Sequence, residues 1–203
     1  MAKPSWIKTN PSSGSGNATV AVSSTTEHTG RVARTGVLTF KAANVEDVVR
    51  TVNQAGKPEY VDIADAASAD KGGKVVTISG VSNSKKLTFT LGTGDLAVTL
   101  PSSYTANSVN TANGATISGD PGASAEYPFS VSITVPANTT TSAKSRQVIV
   151  TDEAGHQDVC TLTSAAGDAY LSVQLGDIEL DYKGTAVNVT VESNPSWTVE
   201  LWN

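Results

Sequence analysis

The side chains best suited to chemistry in this chain are few and far apart. It carries two histidines, His28 and His156, and one cysteine, Cys160. The histidines lie in different segments of the chain, and neither a metal cluster nor an acid–base role is expected of them. Cys160 shares an expected strand with Val159 and Leu162 and reads as a small buried hydrophobe. A nucleophile there would need a neighbouring base, and none is identifiable. Asp95, Asp120 and Asp152 fall in expected loops, where a carboxylate serves a Ca²⁺ ion or a turn, and the turn is the simpler reading. No glycine-rich phosphate loop leads from a strand into a helix, because no helix of consequence is expected. The sequence assigns no catalytic residue, no cofactor and no metal ligand, and the chain is not expected to be an enzyme.

The tryptophans are the better candidates for function. Trp197 shares the parity of Val199 and Leu201, which makes it an expected core anchor. Trp6, followed by Ile7, begins a strand and is expected in a core or at a seam. Trp202 has outward parity. It is suited to covering a joint, packing on a neighbouring subunit, or offering a stacking platform to a sugar. Seam or interface is preferred, because one exposed ring without a polar cluster makes a poor glycan site. Asn17-Ala-Thr, Asn138-Thr-Thr and Asn188-Val-Thr match glycosylation sequons but read here as strand and loop residues.

The elements that must position these rings repeat with a period of two, the mark of half-buried strands. Val187, Val189 and Val191 alternate with Asn188, Thr190 and Glu192, and Asn194-Pro-Ser196 turns the chain into the strand of Trp197. Residues 169–203 are expected to hold strands at Tyr170–Leu175, Ile178–Tyr182, Ala186–Glu192 and Trp197–Trp202. Residues 58–168 read as a complete sandwich with strands at Tyr60–Ile63, Lys74–Ser79, Lys86–Leu91, Leu96–Leu100, Phe129–Val135, Arg146–Thr151 and Asp158–Thr163. Between them Ser108–Ala125 reads as a long surface loop. In residues 1–57, strands are expected from Trp6, over Ala18–Ser23, Gly36–Lys41 and Val48–Gln54. A hairpin is preferred to a short helix at 42–47.

Composition agrees with this all-β reading: 38% hydrophobic, 16% charged, rich in Ser, Thr, Val, Ala and Gly. A net charge of −5 without a cluster of Lys and Arg argues against a nucleic-acid partner. One cysteine leaves no intrachain disulfide. The first residues show no apolar signal segment, and no apolar run approaches the length of a membrane span, so a soluble protein without a membrane partner is expected.

The chain also repeats itself. Arg50–Val61 lines up with Cys160–Leu171, bringing Thr51 onto Thr161, Ala55 onto Ala165 and Tyr60 onto Tyr170. Gly73–Asn83 lines up with Gly184–Asn194 at a shift one residue longer. Residues 1–57 thus correspond to the back half of a sandwich and residues 169–203 to the front half. Read from tail into head, the order is Val-Asn-Val-Thr-Val-Glu-Ser-Asn-Pro-Ser-Trp197, then Trp6 through Pro-Ser-Ser-Gly-Ser-Gly16, Arg34-Thr-Gly36 and Gln54-Ala-Gly56. This resembles the BACON domain, an immunoglobulin-like sandwich of Bacteroidetes surface proteins and of crAss-like gut phages. The match is looser in the middle sandwich, where Lys86 stands in place of the Trp and Ser164 in place of the Gln.

The resulting expectation is one complete immunoglobulin-like β-sandwich and a second assembled from the two end segments, permuted within one chain or exchanged between chains, with exchange preferred. Trp6, Ile7, Trp197, Val199, Leu201 and Trp202 would form the seam. The resemblance implies a structural virion protein, a capsid auxiliary or decoration protein of a crAss-like phage. Its partners would be other copies of itself and major capsid or other virion proteins, and its place the capsid surface. The alternative is a carbohydrate-binding adhesin module, on a phage fibre or tail or a bacterial cell surface, with surface glycans as partners.

Overall fold

The computed structural model describes residues 4–174 and 176–202. Strands β1 (Ile7–Asn10), β2 (Ala21–Ser24), β3 (Arg34–Phe40) and β4 (Val48–Gln54) lie in the head segment. The middle segment holds β5 (Val61–Ile63), β6 (Ala66–Ala69), β7 (Lys74–Ser82), β8 (Leu87–Gly94), β9 (Ser103–Ala106), β10 (Val109–Ala112), β11 (Tyr127–Val135), β12 (Lys144–Asp152) and β13 (Gln157–Ser164). The tail adds β14 (Leu171–Val173) and β15 (Val191–Ser193). The fold is all-β, and among the described residues no helix is long and apolar enough to cross a membrane.

The middle strands form two sheets, in the orders β10-β9-β11-β7-β5 and β6-β13-β12-β8. Strand β11 shows why they close on each other. Tyr127, Phe129, Val131, Ile133 and Val135 are all buried, and the residues between them face outward. Val148, Val150, Cys160 and Leu162 supply the opposing face. Phe89 sits between the layers, its ring centroid 5.0 Å from Tyr104 and 5.9 Å from Phe129, the latter edge-on. The buried phenols keep their polar ends satisfied: Tyr127 Oη donates to the Ser84 carbonyl at 2.6 Å, and Tyr104 Oη accepts the Leu87 N–H. Gly80 on β7 is required by packing, since a Cβ there would stand 2.2 Å from the Asp62 carbonyl oxygen and 2.4 Å from the Phe129 ring.

Four sequence expectations are corrected. Leu96–Leu100 alternates but forms no strand. Leu96 is buried and Val98 and Leu100 pack against the core, so its apolar side is satisfied without a ladder. Ser108–Ala125 is not a plain loop. Asn107 and Ser108 both adopt positive φ, the conformation of a two-residue hairpin turn, and place β10 against β9. Ile117 within it is buried, its N–H bonded to the Lys85 carbonyl at 2.8 Å. In the tail, Ile178–Tyr182 and Trp197–Trp202 have no strand partner among the described residues, and Ala186–Glu192 is strand only from Val191. Leu175, the end of the expected Tyr170–Leu175 strand, lies outside the described residues. The fourth is Lys86, whose place in the repeat is treated below.

Truncating Ile133 to Ala should cost about 2–5 kcal/mol, because it removes a wholly buried side chain from the central strand. Chemical denaturation followed by tryptophan-independent circular dichroism measures this.

Candidate functional site

Arg34, at the start of β3, organises the head. Its Nε donates to Gln54 Oε1 at 2.8 Å, and its Nη2 donates to the Thr26 carbonyl at 3.0 Å and to Thr26 Oγ1 at 3.1 Å. The guanidinium also lies 4.7 Å from the centroid of Trp6. Among the described residues the β1–β2 and β3–β4 hairpins share no ladder, so this fork of donors and the Trp6 ring bring them together. Ile7 is buried beside Gly36, where a Cβ would stand 2.5 Å from Ile7 Cδ1 and 3.0 Å from the Trp6 ring. Gly56 has a similar role: a Cβ would reach 2.0 Å from the Arg31 carbonyl oxygen. The Arg34-Thr-Gly36 and Gln54-Ala-Gly56 signatures are thus one contact set seen from two strands. Spacing alone gave no sign of that.

The junctions between segments repeat as well. Asn83 Oδ1 accepts the Tyr60 N–H at 3.0 Å, and Asn83 Nδ2 donates to the carbonyls of Thr29 (3.2 Å) and Pro58 (3.1 Å). At the other end Asn194 Oδ1 accepts the Tyr170 N–H at 3.0 Å, and Nδ2 donates to Thr139 and Asp168, both at 2.8 Å. Thr29, Pro58 and Tyr60 are carried onto Thr139, Asp168 and Tyr170 by one and the same shift. The backbone follows: Lys57 N–H donates to Gly30 O at 2.8 Å, and Gly167 N–H to Thr140 O at 2.7 Å. His28 Nε2 stands 2.6 Å from the Val32 carbonyl where Asn138 Nδ2 donates to Ser142. The first junction is further fixed by Arg31, which pairs with Asp120 and donates to the Asn83 carbonyl at 3.0 Å.

The ladders repeat too: both head strands keep the shift of the junction, and in the tail β14 keeps it while β15 lies one residue further on. Arg34↔Gln54 through Phe40↔Val48 in the head reproduces Lys144↔Ser164 through Val150↔Asp158 in the middle sandwich. Leu171↔Ser193 through Val173↔Val191 in the tail reproduces Val61↔Ser82 through Ile63↔Gly80. Past Asn194 the apolar alternation of Trp197, Val199 and Leu201 is matched to the buried alternates of β8. Leu87 and Phe89 are buried and Lys86 is not, so Leu87, and not Lys86, is the counterpart of Trp197, with Phe89 matching Val199. One fewer residue separates Asn194 from its strand than separates Asn83 from β8.

Of the six seam residues, Trp6 and Ile7 meet beside Gly36, whereas the tail four stand in solvent. Trp197 is 49% exposed, Val199 73%, Leu201 95% and Trp202 86%. Among the described residues no hydrogen bond or ion pair joins 4–57 to 169–202. Among the described residues β3 of the head pairs with β4 alone, whereas its middle counterpart β12 lies between β13 and β8. Phe40, Val48 and Val49 are correspondingly exposed.

Asp95, Asp152, His156 and Cys160 are taken up by structure. Asp95 Oδ1 accepts the Ser145 N–H at 2.9 Å, which holds that carboxyl below its usual range. Asp152 closes the β12–β13 turn, accepting the His156 N–H at 2.8 Å and lying 2.8 Å from His156 Nδ1. Burial first, then Asp65 and Asp158, pushes the Cys160 thiol up to about 11. A shallow groove of about 420 Å³ between Ala97–Pro101 and Ser132, Thr134 and Pro136 has no charged lining residue.

Two outcomes follow. Arg34→Lys should loosen the head alone, because an ammonium cannot span Gln54, Thr26 and the Trp6 face together. Limited proteolysis should then cut within residues 11–50 while the middle sandwich survives. Cys160 should resist thiol reagents at pH 8 until denaturant is added. Unfolded thiols ionise near about 8.5 and this one near about 11 when folded. The unfolded state therefore loses its proton first. Stability is intact below that interval and falls as pH rises through it, as pH-dependent denaturation would show.

No curated protein matches the chain. Residues 1–55 match the family model BACON, whose description reads "Putative binding domain, N-terminal". That stretch contains the Arg34 hub, Trp6, Gly36 and Gln54, so the head of this chain is BACON-like.

Proposed function

We propose that the chain is a non-enzymatic structural protein that acts through its sandwich surfaces, as a capsid auxiliary or decoration protein of a crAss-like phage. The observation that carries the reading is the repeated junction at Asn83 and Asn194. An asparagine amide, buried at Asn83 and half-buried at Asn194, gathers carbonyls from the linker and from the adjoining loop and fixes each unit on the next, which suits a rigid spacer or surface array. The reactive side chains support it, being engaged in turns, junctions and the core. The binding-domain description of the matched family supports a role in holding partners: other copies and major capsid or other virion proteins, at the capsid surface.

Immunogold labelling of purified particles from a phage encoding this chain should decorate the capsid, and particles without the label would overturn the placement. The adhesin reading is favoured by one feature, the 86% exposed ring of Trp202. Specific binding on a glycan array, lost on Trp202→Ala, would establish that reading in place of the first.

A further inference from the structure

We infer that the open face of the head takes the tail of a second copy of the same chain, in a register that the middle sandwich already displays. This goes beyond the placement on a virion and does not depend on it. In the middle sandwich, β12 pairs with β8 through Val148↔Leu91, Ile149↔Thr90, Val150↔Phe89 and Asp152↔Leu87. Carried to the two ends by the shift that relates β12 to β3, with Leu87 matched to Trp197, these become Leu38↔Leu201, Thr39↔Glu200, Phe40↔Val199 and Ala42↔Trp197. The inward pairs are apolar in every case, and the outward pair is polar. Leu201 and Val199, the most exposed of the tail's inward set, thereby meet the strand whose outer edge is free.

The shape of the chain favours a second copy over self-closure. The head is bonded to the middle sandwich at Asn83, Gly122 and Ala123, beside the start of β11, and the tail at Thr139 and Asp168, beyond its end. The nine residues of β11 lie between. At roughly 3.3 Å per residue that separation is about 30 Å. A strand cannot pair across it, since ladders require neighbours about 4.8 Å apart. The contact is heterologous: the head of one copy binds the tail of the next. Its form is strand addition to an open edge, with backbone bonds supplying affinity and the alternate side chains supplying register.

The outward pair gives a clean test, because Cys160 is buried and leaves no competing thiol. Antiparallel partners lie at Cα separations that a disulfide accepts. Chains carrying Thr39→Cys, mixed with chains carrying Glu200→Cys and oxidised, should give a linked pair of twice the 20.8 kDa chain mass. The double variant should give a ladder of higher multiples, and the out-of-register pair Thr39→Cys with Ser172→Cys should not. In light scattering, wild type should run as multiples of the chain, and Leu201→Asp should fall to 20.8 kDa with the melting of the middle sandwich unchanged. A cross-link within single chains, linkage no greater than the out-of-register control, or a monomeric wild type would each overturn the inference. None of these results bears on whether the protein sits on a capsid.

Discussion

A β-strand is stable only when its backbone edge is paired and its apolar face is covered, and this protein is arranged around where that condition is met. In the middle sandwich both requirements are satisfied: β11 lies between β9 and β7, β12 lies between β13 and β8, and their inward side chains share one core. At the ends the same sequence pattern meets different surroundings. Trp197-Thr-Val-Glu-Leu201 alternates as Leu87-Thr-Phe-Thr-Leu91 does, yet only the latter is a strand. The difference is the neighbour. β12 pairs with Leu87–Leu91, and no strand of the described chain pairs with Trp197–Leu201.

The junctions complement this by limiting how the units move. An asparagine amide offers one acceptor and two donors, which matches a linker that presents one N–H and two carbonyls. At Asn83 and Asn194 the amide meets that demand from a buried or half-buried position. Each such bond contributes about 0.5–1.5 kcal/mol net, but removing the amide would orphan several backbone groups at once, which costs more than the bonds contribute. Gly56 and Gly167 belong to the same design. Side chains there would collide with the Arg31 carbonyl at 2.0 Å and the Asn138 carbonyl at 2.5 Å.

Much of the fold was legible in residue order, and the failures have physical causes. Phe129–Val135, Arg146–Thr151 and the Gly36–Gln54 hairpin announce themselves through alternation and turn residues. The β9–β10 hairpin does not: its inward residues are Tyr104, Ala106 and Thr111, too mixed in polarity to show a period, and its turn is Asn107-Ser108 and not Asn-Gly. Leu96–Leu100 misleads in the opposite sense, since apolar alternation reports which side is buried and says nothing of whether a backbone partner exists. Arg34 and the two junction asparagines escaped because their work is done through side-chain bonds to distant backbone, which leave no periodic trace. The parity of Trp197 with Val199 and Leu201 was visible, but its meaning depends on a neighbour that the sequence cannot place.

Rigidity at the junctions and openness at the ends bear on each other. If the completed end sandwich adopts the relation to its neighbours that Asn83 and Asn194 already impose, every junction along a series of copies is equivalent, and each copy contributes one whole sandwich and one shared between chains. A heterologous contact repeated with fixed geometry extends without limit unless its rotation happens to close a ring. Flexible linkers would let two copies satisfy each other as a closed pair, since the effective concentration of the second contact would then be high. Junctions held by the Asn83 and Asn194 amides would oppose that solution. In the assembly inferred above, the same few hydrogen bonds that hold Tyr60 and Tyr170 in place would favour an extended array over a closed pair, and its order would originate in the linkers as much as in the strands that join it.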